Sequence, residues 1–273
     1  MSFGRNKSTI FLVIILFLSA IYIYECQPKY DPKLLKRLNQ DNYKFIAHAG
    51  GGIDQHIYTN SKEAVYKSIK NGFNLIEIDL QETDDKIFIG AHDWQLFKKI
   101  TNYNKDSFLS NNIKNLKIHG KYTLLLEDEI NKIFINNKNI YFITDKTNNF
   151  KKLNNDFKQI RDRMIVEVFD KKNLKRAIRE NIKNPIYNYQ IGDFKFIIRN
   201  NIKIITANIN EILKNKDEFK KLVDNNIFVF AYTSNEDKLI NQYMGVLFTH
   251  VYTDFLNLKD EKCVAKIELC ITY

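Results

Sequence analysis

The chain has 273 residues, room for one large domain or two small ones, and an α/β barrel alone uses about 250. Apolar residues make up 44% of it, enough for a sizeable core, which excludes a globally disordered chain. The formal net charge of +10 comes from lysines spread through the sequence without a basic block, so a solvated basic surface is expected rather than nucleic-acid binding, with a mild attraction to anionic lipids or substrates.

Residues 10–24 carry no charge and follow Arg5 and Lys7. A basic flank before an apolar run is the layout of an export signal whose first residues, 1–9, stay in the cytoplasm. The run is shorter than the roughly 20 residues of an upright spanning helix, but Ser8 and Thr9 extend it and its tyrosines suit an interface. No small-residue cleavage site follows. An uncleaved signal anchor in the membrane is therefore expected ahead of a cleaved signal peptide, and either places the body of the protein in a periplasmic or extracellular space, secreted if the segment is removed.

Residues 25–42 are polar, contain Pro28 and Pro32, and turn helical in pattern at Leu34, Leu35 and Leu38. They read as a stalk ending in a helix packed on the domain. From Tyr43 the chain alternates short apolar runs with helical or polar stretches, at 44–48, 74–80, 140–145, 164–169, 185–189, 203–208, 227–232 and 248–253. Eight such runs, rich in Ile, Val and Phe and with no Pro/Gly linker between them, predict an α/β fold, a (β/α)8 TIM barrel over residues 43–260 with a tail at 261–273. An extra hairpin is expected between Asp84 and His92, and residues 95–139 read as the second crossover with an insertion. In the first helix Asn60 is the expected N-cap, with Glu63 three residues on and Gly72 closing the other end. Cys263 and Cys270 match no zinc pattern; in an exported domain they could pair, and otherwise they are two unrelated thiols.

The chemistry-bearing residues cluster between Tyr43 and Trp94. Glu77 and Asp79 are two apart on one strand, so both side chains leave the same face, toward the barrel lumen. Two carboxylates so close repel unless a cation holds them, and hard oxygen donors suit Mg²⁺ or Ca²⁺. His48 ends the first strand ahead of an Ala-Gly-Gly-Gly loop whose amides, Gly50 among them, could approach a phosphate. His92 ends the hairpin and supplies the second imidazole that acid/base cleavage of a phosphodiester needs.

His48-Ala49-Gly50, Asn60-Ser61, Glu77-x-Asp79 and His92-Asp93 fall in an order and spacing that resembles the glycerophosphodiester phosphodiesterase family, within the phosphatidylinositol-phospholipase-C-like superfamily. Ile143-Thr144-Asp145-Lys146, Val166-Glu167-Val168, Phe230 to Asn235 and Tyr252-Thr253-Asp254 look like its later strands. The resemblance implies a metal-dependent phosphoric diester hydrolase. His48 and His92 would be the acid/base pair, Glu77, Asp79 and Asp145 the metal ligands with Glu167 as rival for the third place, and Lys146, Asn60 and Gly50 the substrate contacts. A small-molecule or lipid-derived phosphodiester is the partner it implies.

Two positions depart from the pattern. The arginine that usually follows the first histidine is Ala49, and the usual Pro-Glu-Asn is Tyr58-Thr59-Asn60, without its carboxylate. Charge stabilisation then falls to the metal, Lys146 and the glycine-loop amides. The reading from another class is a non-catalytic or altered-substrate barrel that binds or processes a cell-surface polysaccharide in the same cleft.

Overall fold

A computed structural model describes residues 11–12, 27–259, 262–266 and 269–270. Eight parallel strands form the barrel: Phe45–Ala47, Leu75–Glu82, Tyr141–Asp145, Met164–Val168, Pro185–Asn188, Ile204–Asn208, Phe228–Tyr232 and His250–Thr253. Each lies within one of the expected runs or overlaps it closely. The first strand pairs with both the eighth and the second, Ile46 opposite Tyr252 on one side and Leu75 on the other, which closes the sheet.

Alternation along the strands separates two cores. Ile76, Ile78 and Leu80 pack outward under the helices, together with residues such as Phe142, Val166 and Ile205. Leu75, Ile143, Ile165, Ile186, Ile204 and Phe230 fill the lumen. Two residues further along the same faces, the lumen turns polar, with Glu77, Asp145, Glu167, Asn188 and Thr206. The apolar layer forms the floor on which those polar side chains stand.

That floor is sealed from below by the helix Pro32–Leu38. Asp31 caps it by accepting from the Lys33 amide, Pro32 opens it, and Leu34 and Leu38 insert into the lumen core. Burying such a leucine is worth about 1.5–3 kcal/mol. His250 also lies in this layer, tilted on Phe230 with centroids 4.3 Å apart, and burial pushes its pKa down to about 3.

Above the floor, the second strand continues into the expected hairpin, pairing antiparallel with Phe88–Gly90. The insertion after it holds helices Trp94–Thr101 and Ser110–Ile113 and a small ribbon at Lys117–Ile118 and Tyr122–Thr123. Phe97, Phe108, Ile113 and Ile118 give it a satellite core of its own. Cys263 and Cys270 are joined, with Cα atoms 5.6 Å apart, so the paired alternative is the one found. Among the described residues no helix is long and apolar enough to cross a membrane. The expected anchor at 10–24 falls, apart from residues 11 and 12, outside the described residues.

Candidate active site

The C-terminal mouth of the barrel opens into a cavity of about 300 Å³. Strand register builds its base, because parallel pairing sets Asp79 opposite Asp145 while Glu77 stands one step below on the same face. One oxygen from each of Glu77, Asp79 and Asp145 lies within 4.8 Å of the other two. The three residues are only 4%, 2% and 7% exposed, so water can do little to separate their charges.

Each carboxylate commits one oxygen to the protein. Glu77 Oε2 accepts from the Ala49 amide at 2.6 Å, Asp79 Oδ2 from Asn60 Nδ2 at 2.8 Å, and Asp145 Oδ2 from Lys146 Nζ at 2.8 Å. Glu77 Oε1 and Asp145 Oδ1 are left buried without a hydrogen-bond partner. Burial, then repulsion from Asp79 and Asp145, pushes Glu77 well above the usual carboxylate range; burial, then Asp79 and Glu167, does the same to Asp145. Buried, orphaned, mutually repelling hard oxygens are the donor set a Mg²⁺ or Ca²⁺ ion fits.

Glu167, the rival third ligand, lines the same cavity but stands outside this cluster. Its Oε1 accepts from Thr206 Oγ1 at 2.6 Å and Asn188 Nδ2 at 2.9 Å. Lys146 has a left-handed backbone, φ 61°, and its ammonium also lies 3.6 Å from Asp79 Oδ1. Burial alone would lower its pKa, but Asp145 and Asp79 outweigh that and raise it, so it stays charged.

Both expected histidines line the cavity, and each is held by a carboxylate that the sequence reading gave no role. His48 Nδ1 lies 3.0 Å from Asp254 Oδ1 at the end of the eighth strand. Asp254 is itself fixed by Asn235, whose Oδ1 accepts from the amides of Asp254 and Phe255 and whose Nδ2 donates to Asp254 Oδ2 at 3.3 Å. His92 Nδ1 lies 2.7 Å from Asp93 Oδ2, while Asp93 Oδ1 caps the next helix through the Leu96 amide. With Nδ1 engaged in each ring, Nε2 is the free nitrogen. Burial disfavours charge on His48, but Asp254 and then Asp79 more than compensate, so its pKa is raised.

Two substrate contacts expected from the sequence are elsewhere. Asn60 does not cap the helix: Ser61 does, accepting from the Ala64 amide, and Asn60 is fully buried on Asp79. Gly50 does not line the cavity, and its carbonyl accepts from Ser68 Oγ at 2.7 Å. The amides of Gly51 and Gly52 go to the carbonyls of His48 and Asp254. A Cβ on Gly52 would sit 2.2 Å from the Phe255 ring, so glycine serves close packing against the loop that carries Asp254, not a phosphate cradle.

Tyrosine side chains, missed in the sequence, complete the cavity. Tyr58 stands edge-on to both imidazoles, with centroids 4.7 Å from His48 and 5.0 Å from His92. Tyr252 rises from the eighth strand beside His48 and Tyr232 from the seventh, and Phe169 forms an exposed part of the rim. The signal for Tyr252 was its inward parity with His250; Tyr58 gave none, since it lies in a loop.

Residues 48–258 match the Glycerophosphoryl diester phosphodiesterase family. The chain belongs to this family. With membership comes the enzyme class, a phosphoric diester hydrolase. Among solved structures, a glycerophosphodiester phosphodiesterase from Parabacteroides distasonis is 18% identical, with a TM-score of 0.65 over 81% of this chain and 96% of its own. One from Thermotoga maritima is 17% identical, TM-score 0.58, over 78% and 94%. An Oleispira antarctica phosphodiesterase, solved with the product sn-glycerol-3-phosphate, is 13% identical, TM-score 0.63, over 79% and 94%. These likenesses carry the barrel fold. No curated protein matches the chain.

Proposed function

We propose that this family member is an exported, divalent-metal-dependent enzyme that hydrolyses glycerophosphodiesters with His48 and His92 as its acid/base pair. The observation that carries this reading is the convergence on one cavity of two carboxylate-held histidines and three buried carboxylates with orphaned oxygens. Family membership and the product bound by the Oleispira antarctica neighbour support the substrate class.

Glu77, Asp79 and Asp145 would hold the Mg²⁺ or Ca²⁺ ion. When bound, the ion supplies charge neutralisation at the phosphodiester and acidifies a nucleophilic hydroxyl or water. His48, deep in the cavity and made more basic by Asp254, takes the proton of the attacking oxygen at Nε2. Asp254 holds the ring's orientation and offsets the imidazolium that forms. His92, with a side chain 34% exposed at the mouth, delivers a proton from Nε2 to the leaving alkoxide, which departs into solvent. Lys146 balances the negative charge left at the cluster.

The apolar run at 10–24 and the Cys263–Cys270 bridge support a location outside the cytoplasm, since disulfides persist in oxidising compartments. Membrane anchoring would follow from an uncleaved run. The test of function is hydrolysis of a glycerophosphodiester by the purified chain, stripped with chelator and then given Mg²⁺ or Ca²⁺. Turnover restored by either ion is expected; equal turnover in chelator overturns the metal assignment.

A further inference from the structure

An anionic diester needs hydrogen-bond donors at its non-bridging oxygens, and the guanidinium expected beside His48 is absent. Ala49 is fully buried and its amide is spent on Glu77. Lys146 is engaged by two carboxylates of the cluster.

Among the described residues, two tyrosine hydroxyls at the cavity have no protein partner. Tyr252 is 3% exposed, lines the cavity, and its hydroxyl has no hydrogen bond. Tyr58 lines the cavity too, and its hydroxyl has no hydrogen-bond partner among the described residues. Tyr232, by contrast, accepts from Asn188 Nδ2 at 3.2 Å. A buried hydroxyl without a partner is destabilising, so its retention points to a ligand that supplies one. The Tyr252 orphan shares the cavity with the orphaned oxygens of Glu77 and Asp145, where a phosphoryl group beside a cation would lie. Tyr58 sits between the two imidazoles, which must flank the reacting phosphorus, and a bulky residue holds φ 56° to place it there.

We propose that Tyr58 and Tyr252 are the phosphate-recognition residues of this enzyme, their neutral hydroxyls donating to the non-bridging oxygens of the diester in place of a guanidinium. The proposal rests on the phosphodiesterase reading and names how that site grips its substrate. Both phenols stay protonated, and therefore donors, around neutral pH: burial, then Asp254 and Asp79, pushes Tyr58 up to about 12, and burial holds Tyr252 well above the ordinary tyrosine value.

The test uses Tyr58→Phe and Tyr252→Phe, which keep the rings and remove only the hydroxyls, in the full chain loaded with Mg²⁺ or Ca²⁺. Each is expected to lower kcat/KM on a glycerophosphodiester, and to weaken inhibition by inorganic phosphate, by about tenfold or more. The metal concentration giving half-maximal activity should stay at its wild-type value, and the melting temperature should not fall in either variant and should rise in Tyr252→Phe, which removes the unpaired buried hydroxyl. Phosphate inhibition within about twofold of wild type in both variants overturns the proposal, as does a loss explained wholly by weaker metal binding. If the wild-type chain hydrolyses no diester, the phosphodiesterase reading has failed on its own. The tyrosines are then judged by calorimetric binding of inorganic phosphate to the metal-loaded protein, where unchanged affinity in both variants overturns their role.

Discussion

Asn60 and Asp79 hold each other by two hydrogen bonds, Asn60 Nδ2 to Asp79 Oδ2 at 2.8 Å and the Asp79 amide to Asn60 Oδ1 at 2.9 Å. The loop after the first strand thereby fixes a carboxylate on the second. Gly90 permits the approach, since a Cβ there would lie 2.8 Å from the Asn60 carbonyl. Asn60→Ala strips both contacts from a buried carboxylate, so metal affinity should fall about ten- to hundredfold and stability by about 1–3 kcal/mol. Metal titration of activity and thermal melting read the two effects.

Asp254 raises the pKa of His48 against the opposing effect of burial. If His48 is the base, activity rises as pH climbs through that raised value. Asp254→Asn removes the charge, so the acidic limb of the pH–rate profile should move to lower pH while kcat drops. Stability has its own sign: the His48–Asp254 pair contributes fully below the ordinary histidine value, about 6.5, and its contribution is lost as pH rises through the raised folded value. A full pH–rate profile of wild type and variant checks the first point, and melting temperatures across the same range check the second.

Glu77 and Asp145 pull in a related way. Their folded values stand well above those of the unfolded chain, so in chelator the site's contribution to stability is fully present below the unfolded carboxylate range, about pH 4, and is lost as pH rises through the raised values. Thermal melts in chelator should show this loss on going from pH 5 to pH 8. Mg²⁺ or Ca²⁺ should recover it more at pH 8 than at pH 5, because deprotonated carboxylates bind the ion.

Asn235 links the loop closed by the C-terminal bridge to the site. Asn235 Nδ2 donates to the Leu269 carbonyl, inside the loop that the bridge closes, and also to Asp254 Oδ2. Breaking the bridge with Cys263→Ser and Cys270→Ser should cost about 2 kcal/mol of stability. The tail should become protease-sensitive while kcat falls only slightly, because the Asp254 amide still donates to Asn235 Oδ1. Limited proteolysis with parallel kinetics measures both.

All eight barrel strands were legible because strands buried on both faces read as unbroken Ile, Val and Phe runs, and period two then fixed which carboxylates face the lumen. Glu77 and Asp79 follow from that rule; Asp145 and its rival Glu167 both satisfy it, and the family resemblance named them as candidate ligands. What the rule cannot carry is partnership across loops. Asp254 lies 206 residues from His48 and meets it only because the barrel closes. Asn60 resembled a helix cap because its side chain could serve equally well there; the cap fell to Ser61 once Asp79 offered Asn60 a buried partner. The glycine loop resembled a phosphate cradle for a similar reason, since freedom to approach a ligand and freedom to pack on Phe255 look alike in sequence. Glu167 and Asp145 read alike in sequence, and only the fold separates them, since Asp145 joins the carboxylate cluster whereas Glu167 stands outside it with its Oε1 held by Thr206 and Asn188.

The central claim, an acid/base pair of His48 and His92, is tested most directly by assaying His48→Ala and His92→Ala on two diesters of different leaving-group basicity. A glycerophosphodiester expels an alkoxide that needs a proton, and bis(nitrophenyl) phosphate expels a phenolate that does not. His48→Ala should lose turnover on both by about a hundredfold or more, whereas His92→Ala should lose it on the glycerophosphodiester and keep most of it on the nitrophenyl ester. Wild-type turnover of the glycerophosphodiester by either variant would contradict the claim.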